Sequence, residues 1–324
     1  MKVLFATYPM AFHTPGGGEI QLLAYKKYLE RAGVTVTLFD AWNPKFEEYD
    51  LVHFFSCIGG SQHFCQFIKK LNLPLVVSSS LWITEKTKYL YPLVEIKNQL
   101  SLADFIVTNS KLESEELSRI LELDQNKFYE IYNAIEESFA KSTDPLIFRK
   151  HFDIHDKFIL NVGNIEPRKN QLLLAEAVKN LVDYKLVLIG HIRDKIYFDE
   201  VLKISPNKII YLQAIDNDNI LLKSAYSACD VFTLPSKFET PGLAALEAHA
   251  QDAPIVITSH GSTYEYFGED VIYINPEDSS DILRGILESL NQSVKLSNIS
   301  VKNKYIWSDS IKNLINLYIR ILNK

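Results

Sequence analysis

Short apolar segments alternate with segments of helical spacing along almost the whole chain. In the first half the stretches between the apolar segments have helical spacing, as in Glu19–Ala32 and in Ser110–Leu121, which begins with a capping serine. The predicted strands are Val3–Thr7, Val34–Phe39, Leu51–Phe55, Leu75–Ser78, Phe105–Thr108 and Phe128–Tyr132. Continuous apolar strands separated by helices are typical of parallel sheets covered on both faces.

The alternation stops in the polar stretch Asn133–Pro145, which predicts a linker, and then begins again. The predicted strands of the second half are Phe158–Val162, Lys185–Ile189, Ile209–Leu212, Val231–Leu234, Ile255–Ile257 and Val271–Ile274. The pattern therefore predicts an α/β protein of two doubly wound, Rossmann-like domains, residues 1–140 and 145–307, that face each other across a cleft. Ligands of such sheets bind at the carboxyl ends of the strands.

The most informative stretch is Cys229–Ala250, which begins as a strand, passes through a polar turn and enters a helix rich in Ala and Leu. Pro241 and Gly242 lie where this helix starts, so backbone N–H groups there can bind an anion. Glu239 and Glu247 lie on either side of that start and can accept hydrogen bonds from hydroxyl groups. The combination indicates a ligand that is both phosphorylated and polyhydroxylated.

A second loop, Asn161–Asn170, follows the first predicted strand of the second domain and carries the adjacent cations Arg168 and Lys169. Cations at the positive end of a helix are unfavourable unless they hold an anion. Arg can bind a phosphate through two parallel hydrogen bonds, and Lys offers a point charge. This loop predicts a phosphate site, and the alternative is a solvated basic turn.

A third loop, Thr14–Glu19, places glycines at a helix start, where the backbone can come close to a phosphate or a sugar. With Asp40 at the end of the second strand, the loop could be a dinucleotide-binding fingerprint. That fingerprint needs a tight turn, but about eight residues separate the first strand from the glycines. A flexible loop followed by a capped helix is the other alternative.

Composition narrows the class of protein. A length of 324 residues suits two domains, and a net charge of −6 argues against a nucleic-acid-binding face. No apolar run approaches the roughly 20 residues of a membrane span, and three cysteines make no disulfide framework, which indicates a cytoplasmic protein. Lys88–Tyr91 is the one segment that suggests contact with a membrane surface.

Histidines and cysteines cluster early in the chain. Their mixed spacing matches no standard zinc pattern, so no metal site is predicted. The cluster consists of His53, Cys57, His63 and Cys65. A packed structural role is the favoured interpretation of His53, although its position at a strand end also makes it a candidate for the acceptor side of a site.

In their order along the chain, these motifs resemble family 4 of the retaining glycosyltransferases, which have the GT-B fold. The resemblance covers nearly the whole chain, and the paired acids combined with the Arg-Lys loop are its specific part. Two segments match family motifs: Glu166–Asn170 matches a common variant of the phosphate loop, and Glu239–Ala248 matches the Glu-x7-Glu motif. Four others resemble family motifs: Gly16–Glu19 the Gly-Gly-x-Glu loop, Asp50–His53 the Asp-x-x-His strand end, Ile131–Ala134 the Pro-Asn-Gly stretch, and Gly261–Glu265 the Gly-x-x-x-Glu stretch.

The resemblance implies roles for these residues. Arg168 and Lys169 would neutralise the donor diphosphate, Glu239 would contact the donor sugar, and Glu247 the nucleotide ribose. The donor-binding residues expected from the motifs are Gly16, Gly17, Gly163, Asn164, Gly190, Pro241, Gly242, Leu243 and Glu247. The last helix, residues 308–324, would cross back to the first domain.

The chain departs from the family pattern at two places. Asn164 stands where many members have Arg, and Ser78–Trp82 occupies a region where many members have a histidine that contacts the transferred sugar. His53 and Trp82 are therefore the candidates for the acceptor side.

The predicted activity is metal-independent transfer of a sugar from a nucleotide diphosphate sugar to a hydroxyl group of a carbohydrate or lipid-linked acceptor, with retention of configuration, in the synthesis of a cell-surface polysaccharide or glycoconjugate. The nucleotide sugar is a substrate, and no cofactor is expected. Replacing Arg168 and Lys169 by alanine should lower turnover far more than stability. The expected location is the cytoplasm, with at most peripheral contact with the inner membrane face.

Two other functions remain open from the sequence. One is a non-catalytic GT-B-like partner subunit that binds a sugar nucleotide, which the departure at Ser78–Trp82 suggests. The other is a sugar-nucleotide epimerase on a similar fold.

Overall fold

Two six-stranded parallel sheets carry the fold, one in each of two structural units. The structure, a computed structural model, describes residues 1–291 and 304–323. The first unit comprises Met1–Ala134 and the chain from Trp307 onward, and the second comprises Ile135–Ile306. Residues 292–303 of the predicted second domain, and the last residue of the predicted final helix, lie outside the described residues.

The first sheet has the strand order β2-β1-β3-β4-β5-β6. Its strands are β1 (Lys2–Thr7), β2 (Thr35–Leu38), β3 (Leu51–Phe55), β4 (Leu75–Ser78), β5 (Phe105–Thr108) and β6 (Phe128–Glu130). The helices that connect them are α1 (Gly17–Arg31), α2 (Gln62–Lys70), α3 (Leu93–Leu102) and α4 (Lys111–Leu121). Every residue of β3, β4 and β5 is buried, as expected for strands covered by helices on both faces.

The second sheet has the order β12-β11-β10-β7-β8-β9. Its strands are β7 (Lys157–Val162), β8 (Tyr184–Ile189), β9 (Ile209–Leu212), β10 (Val231–Leu234), β11 (Ile255–Thr258) and β12 (Ile272–Ile274). The helices of this half of the chain are α5 (Leu146–Phe152), α6 (Gln171–Val178), α7 (Lys195–Ile204), α8 (Ile220–Ala228), α9 (Leu243–Ala250), α10 (Thr263–Phe267) and α11 (Ser279–Asn291).

The last helix, α12 (Trp307–Leu322), packs within the first unit. The Trp307 ring meets the edge of the Tyr25 ring on α1 with 5.7 Å between centroids. The Ser310 hydroxyl donates a hydrogen bond of 2.8 Å to the carbonyl oxygen of Tyr132. Buried apolar residues along α12, including Leu314 and Tyr318, give the helix one face that belongs to the core of this unit.

Each sheet has a core of side chains between its strands and helices. In the first unit this core joins the strands to α2, α3 and α4 through Leu4, Val52, Phe54, Val77, Ile68, Ile96, Leu100 and Leu117. In the second unit it joins the strands to α6, α7 and α11 through Ile159, Leu186, Leu188, Val231, Val256, Leu174, Val201 and Ile282. None of the described helices is both long enough and apolar enough to span a membrane.

The structure contains the helix cap that the sequence predicts at Ser110, before the start of α4. The Ser110 hydroxyl accepts a hydrogen bond from the backbone N–H of Glu113 at 3.0 Å. The Glu113 carboxylate in turn accepts one from the backbone N–H of Asn109 at 2.8 Å. The predicted cap is therefore present, because these side chains satisfy donors that the first helical turn leaves open.

The stretch predicted as a linker packs largely in the second unit. Ile135 and Phe139 are buried, and the Gln251 side chain donates to the carbonyl oxygens of Phe139 and Lys141. The second unit accordingly begins at Ile135, whereas the sequence placed the end of the first domain at residue 140. The polar composition of the stretch hid these few anchoring apolar residues.

Two short helices, α5 and α10, were not predicted. α5 lies directly after the polar stretch and buries Phe148. α10 has only five residues. Helices this short carry too few residues for a periodic pattern to be recognised.

Candidate functional site

The loops that follow β7 and β10 lie side by side because these strands are neighbours in the second sheet. The backbone N–H of Lys237 donates a 2.9 Å hydrogen bond to the carbonyl oxygen of Arg168. The Asn170 side-chain amide donates to the carbonyl oxygen of Pro235 at 3.0 Å. These bonds join the Arg-Lys loop to the paired-acid stretch at the carboxyl edge of the sheet, where α/β proteins bind ligands.

These two loops, together with Arg193 from the loop after β8, bring together five charged side chains, which we call the ion cluster. Lys169 Nζ lies 2.6 Å from Glu239 Oε1, and Arg168 Nη1 lies 3.7 Å from the same oxygen. Arg168 Nη2 also lies 3.1 Å from Glu166 Oε1, and Arg193 Nη1 lies 3.3 Å from Glu166 Oε2. Three cations thus surround two carboxylates, which leaves an excess of positive charge for an anion.

The charged state of Glu239 follows from its surroundings. Its side chain is only 7% exposed. Burial acts to raise its pKa, but Lys169 and Arg168 outweigh burial and lower the pKa of this carboxyl below its ordinary value. Burial lowers the pKa of Lys169, and Glu239 opposes that change. Glu239 is therefore a carboxylate at neutral pH.

The sequence predicted that Arg168 and Lys169 need an anion because they lie at a helix start. In the structure α6 begins at Gln171, after Asn170 in the left-handed conformation with φ of 63°. The two cations precede the helix, and carboxylates of the chain itself, on Glu166 and Glu239, partner them. Arg193 was not singled out from the sequence. Its place after β8, the neighbour of β7, is the only signal that could have indicated it.

The backbone of Glu239 is fixed by the loop after β11. The N–H of Glu239 donates to the carbonyl oxygen of His260, and the N–H of Ser262 donates to the carbonyl oxygen of Glu239 at 3.0 Å. A Cβ atom on Gly261 would lie 2.0 Å from that same Glu239 oxygen. Only glycine permits this close approach of two backbones.

The turn between the two acids leads directly into α9. Pro241 follows a cis peptide bond, and Gly242 adopts φ of 91° as the residue before Leu243, the first of α9. A Cβ on Gly242 would lie 2.8 Å from the Leu234 side chain and 3.4 Å from that of Glu239. The predicted helix start at this turn is confirmed.

Glu247 lies within α9 and is buried. Its Oε2 accepts a 2.8 Å hydrogen bond from the Tyr226 hydroxyl, and its Oε1 accepts one of 2.5 Å from the Asn217 amide. Burial raises the pKa of Glu247 to about 7, and nearby Glu136 acts in the same direction. Each carboxyl oxygen of Glu247 is thus oriented by a donor of the protein and keeps a lone pair for a further hydrogen bond.

The predicted donor-binding glycines of the second unit lie where two loops meet. A Cβ on Gly190 would lie 2.0 Å from the carbonyl oxygen of Gly163. The neighbouring Asn164 is buried, and its carbonyl oxygen accepts a 3.0 Å hydrogen bond from the Gln171 side chain. These residues bring the ends of β7 and β8 together.

The glycine loop of the first unit forms a capped helix start. The backbone N–H of Gly16 donates a 2.7 Å hydrogen bond to the Glu19 carboxylate, and Gly17 is the first residue of α1. Glu19 also accepts a 3.3 Å hydrogen bond from the Tyr8 hydroxyl. The loop has the capped geometry expected from its alternative interpretation, so ligand binding by Gly16 and Gly17 stays a prediction.

His53 is a core residue and cannot contact an acceptor. It is fully buried, with Nδ1 2.6 Å from the Tyr318 hydroxyl oxygen and Nε2 2.8 Å from the Ser78 hydroxyl oxygen. Burial lowers the pKa of its imidazole to about 3, so the ring is neutral. This corrects the acceptor-side hypothesis for His53 and agrees with the packed structural role. Trp82 is half-buried, and its role stays a prediction.

The early cysteines are also core residues. Cys57 and Cys65 are buried, and Cys65 Sγ accepts a hydrogen bond from the Gln99 side chain. Across residues 1–291 and 304–323, no three His, Cys, Asp or Glu side chains come together as ligands for a metal ion.

The chain is similar in sequence to known glycosyltransferases. A glycosyltransferase of Methanocaldococcus jannaschii described as uncharacterized is 29% identical over 233 residues, which cover 66% of this chain and 59% of that protein. An N-acetylgalactosaminyltransferase of Campylobacter jejuni, which acts on an N-acetylgalactosamine-N,N'-diacetylbacillosaminyl-diphospho-undecaprenol, is 29% identical over 212 residues, covering 62% of this chain and 54% of that protein. The chain thus spans little more than half the length of these relatives.

Two solved structures share the whole fold. Sucrose-phosphate synthase from Thermosynechococcus elongatus has a TM-score of 0.83 at 17% identity, and the superposition covers 100% of this chain and 99% of that chain. HepE from Anabaena, solved in complex with UDP and glucose, has a TM-score of 0.80 at 16% identity, and the superposition covers 99% of this chain and 100% of that chain. The predicted GT-B fold of two doubly wound domains is confirmed.

The family comparison covers the unit that contains the ion cluster. The model of the family described as glycosyl transferases group 1 matches residues 143–307, about half of the chain. The match includes both predicted acids, Glu239 and Glu247, and the cations Arg168 and Lys169. The chain belongs to the glycosyl transferases group 1 family.

Proposed function

We propose that the chain is a retaining glycosyltransferase that moves a sugar from a nucleotide diphosphate sugar to a hydroxyl group of a carbohydrate or lipid-linked acceptor. The observation that carries this proposal is the buried Glu239 carboxylate between Lys169 and Arg168 at the carboxyl ends of β7 and β10. Lys169 and Arg168 can bind a diphosphate, and Glu239, in contact with both, can accept hydrogen bonds from sugar hydroxyls.

The charges of the ion cluster match those that develop during the transfer. As the anomeric C–O bond breaks, negative charge grows on the diphosphate oxygen and positive charge on the sugar ring. Arg168 and Lys169 stabilise the first, and the Glu239 carboxylate lies where it can accept hydrogen bonds from the sugar. The acceptor oxygen forms the new bond to the anomeric carbon, and its proton passes to the departing diphosphate, which has taken the electron pair of the broken C–O bond. Because the protein supplies the cations, the proposed reaction needs no metal ion.

Glu239 also explains how the cations are held before a diphosphate binds. Lys169 donates to the Glu239 carboxylate, and Arg168 is shared between Glu239 and Glu166. A bound diphosphate would take over part of these hydrogen bonds. Preorganised donors of this kind need little rearrangement in the transition state, which is the main source of electrostatic catalysis.

Glu247 is proposed to bind the ribose of the donor. Tyr226 and Asn217 each donate a hydrogen bond to one of its two oxygens, so the remaining lone pairs point in fixed directions. Gly163 and Gly190 are proposed to let the nucleotide approach the backbone at the ends of β7 and β8. The structure of HepE in complex with UDP and glucose supports a nucleotide sugar as donor.

The names of the relatives support a role in making a cell-surface polysaccharide or glycoconjugate. They include the serotype-specific mannosyltransferase WbdA of Escherichia coli, 25% identical over 240 residues. We propose a cytoplasmic location with at most peripheral membrane contact. The relatives named here are transferases, which does not favour a non-catalytic subunit or an epimerase.

The proposal is tested first by donor binding. The protein is heated with a panel of UDP-, GDP-, ADP- and dTDP-sugars, and a ligand at about a hundred times its Kd should add about 2.7 kcal/mol to the unfolding free energy. The sugar nucleotide that binds is then incubated with the protein in the absence of any acceptor. Slow release of free sugar indicates transfer to water, an epimer indicates an epimerase, and an unchanged donor indicates a binding subunit.

Variants then assign the chemistry to the ion cluster. Arg168→Ala and Lys169→Ala should each lower kcat by on the order of 100-fold or more. Arg284→Ala is the matched control, because this exposed arginine of the same unit contacts Asp281, Glu288 and the carbonyl oxygen of Tyr273, none of which belongs to the ion cluster. Wild-type turnover in a protein that carries both Arg168→Ala and Lys169→Ala would refute the assignment.

A further inference from the structure

A cavity of about 810 Å³ lies in the first unit, and none of the charged residues of the ion cluster lines it. One wall is the start of α2, with Gly60, Gln62 and His63. The other is the segment from Lys88 to Asn98, which runs through a short 3-10 helix into α3. Its volume falls in the range of roughly 300–1,000 Å³ typical of small-molecule sites.

The polar side chains of this cavity are available for a ligand. Among residues 1–291 and 304–323, the side chains of Gln62, His63, Glu95 and Asn98 find no hydrogen-bond partner in the protein. Gln99, next to Asn98, is different: it points inward and donates to the carbonyl oxygen of Ser56. The side-chain amides of Gln62 and Asn98 and the imidazole of His63 can donate and accept hydrogen bonds, and the Glu95 carboxylate can accept them.

Aromatic and apolar groups line the same cavity. Tyr89 is 79% exposed, an unusual position for a large ring in a folded protein, and Tyr91 lies close to it in the lining. Pro92, Leu93 and Val94 add further apolar surface. A tyrosine offers a flat apolar face together with a polar hydroxyl.

These features suit a saccharide. The sugar ring has apolar C–H faces that pack on aromatic rings, and its hydroxyls need planar side chains that donate and accept. A strongly anionic ligand is disfavoured, because Glu95 lines the cavity and Lys88 is already paired with Glu85 at 2.8 Å. The same pairing reduces the positive charge that Lys88 offers to an anionic membrane.

We propose that this cavity is a saccharide-binding site of the first unit, which takes neutral sugar units of the acceptor. The identification of the saccharide as acceptor rests on the proposed glycosyltransferase function. Tyr89 and Tyr91 provide the stacking surface, and Gln62, His63 and Asn98 provide the hydrogen bonds.

The test uses the full chain and a panel of α-linked tetrasaccharides of glucose, mannose, galactose and N-acetylgalactosamine. Binding is measured by saturation-transfer NMR and calorimetry. Asn98→Ala should weaken binding of the recognised tetrasaccharide by on the order of tenfold, which is the loss of about one hydrogen bond. Tyr89→Ala combined with Asn98→Ala should abolish measurable binding. The control is Trp42→Ala, since Trp42 is 96% exposed in the same unit but does not line the cavity.

Three results would overturn the site. The first is that no tetrasaccharide binds, and the second is that all variants bind equally. The third is that the protein instead sediments with phosphatidylglycerol vesicles and loses this binding in Tyr89→Ala, which would make the surface a membrane contact.

Binding of the nucleotide sugar distinguishes a failure of the cavity site from a failure of the proposed function. The Tyr89 and Asn98 variants should bind and hydrolyse the nucleotide sugar as the wild type does. If the wild type binds no nucleotide sugar, the proposed function fails, while saccharide binding lost only in the cavity variants still establishes the site.

Discussion

Glu247 is a buried carboxyl whose ionisation the fold opposes, so Glu247→Gln should change how stability depends on pH. The substitution removes the titrating group and keeps the side-chain shape. The groups that face it are Tyr226 and Asn217, which donate to it, Glu136, which raises its pKa, and Lys223, which lowers it. Burial is the largest of these effects.

The sign and size follow from the pKa of Glu247, about 7 in the folded protein against an ordinary value of 4.5. Between these values the folded protein binds more protons than the unfolded chain, so this carboxyl stabilises the fold at low pH. That contribution is complete below about pH 4.5 and is lost as pH rises through about 7. A difference of about 2.5 between the pKa values corresponds to about 3.4 kcal/mol, of which about 2.5 kcal/mol falls between pH 5 and pH 8.

The assay is urea denaturation of the wild type and of Glu247→Gln at about pH 5 and about pH 8. The difference in unfolding free energy between the two proteins should change by about 2.5 kcal/mol in favour of the variant as pH rises. Glu277→Gln, an exposed carboxyl in the same unit, is the control and should show almost no such change.

A parallel pH dependence of wild type and Glu247→Gln would refute this reasoning. It would mean that the hydrogen bonds from Tyr226 and Asn217 offset the cost of burying the charge, and that Glu247 is ionised throughout this range. A nucleotide bound at Glu247 would then meet a carboxylate at every pH, and donor affinity should not depend on pH near 7.

Three further changes test the other contacts. Lys169→Ala leaves the buried Glu239 carboxylate without its nearest cation, so the unfolding free energy measured in urea should fall by about 3–5 kcal/mol, and an unchanged value would refute the pairing. This revises the expectation from sequence that Lys169 affects turnover far more than stability. Gly261→Ala puts a Cβ 2.0 Å from the Glu239 carbonyl oxygen, so steady-state turnover should fall by on the order of tenfold or more, and wild-type turnover would show that the turn does not position Glu239. Tyr318→Phe removes the hydroxyl at His53 and should cost about 1–3 kcal/mol of stability at unchanged turnover, whereas a lower kcat would give His53 a catalytic role.

The strands were the most predictable part of the fold. β3, β4, β5, β9 and β10 have the bounds read from the sequence. Four of them are short apolar runs buried at every position, and nothing in their composition competes with a strand. Short elements that depend on few anchoring side chains were not predicted, as with α5, which follows the polar stretch and buries only Phe148 among its seven residues.

His53 shows why a motif position does not give a role. The Asp-x-x-His pattern suggested a strand end, but His53 is the third of the five residues of β3, and the neighbours of that strand decide its exposure. β1 and β4 flank β3 and supply Phe5 and Ser78, and α12 brings Tyr318 from the other end of the chain. None of these contacts is local in sequence.

The pairing of Lys169 with Glu239 depends in the same way on strand order. The two residues are 70 positions apart and meet only because β10 lies next to β7. Glycines after the strands carry part of this information. Gly190 follows β8 and touches the backbone of Gly163 after β7, and Gly261 follows β11 and touches the backbone of Glu239 after β10. Each of these glycines stands where a neighbouring strand's loop passes, so a glycine within three residues of a strand's carboxyl end indicates a place where two loops, and the charges they carry, come together.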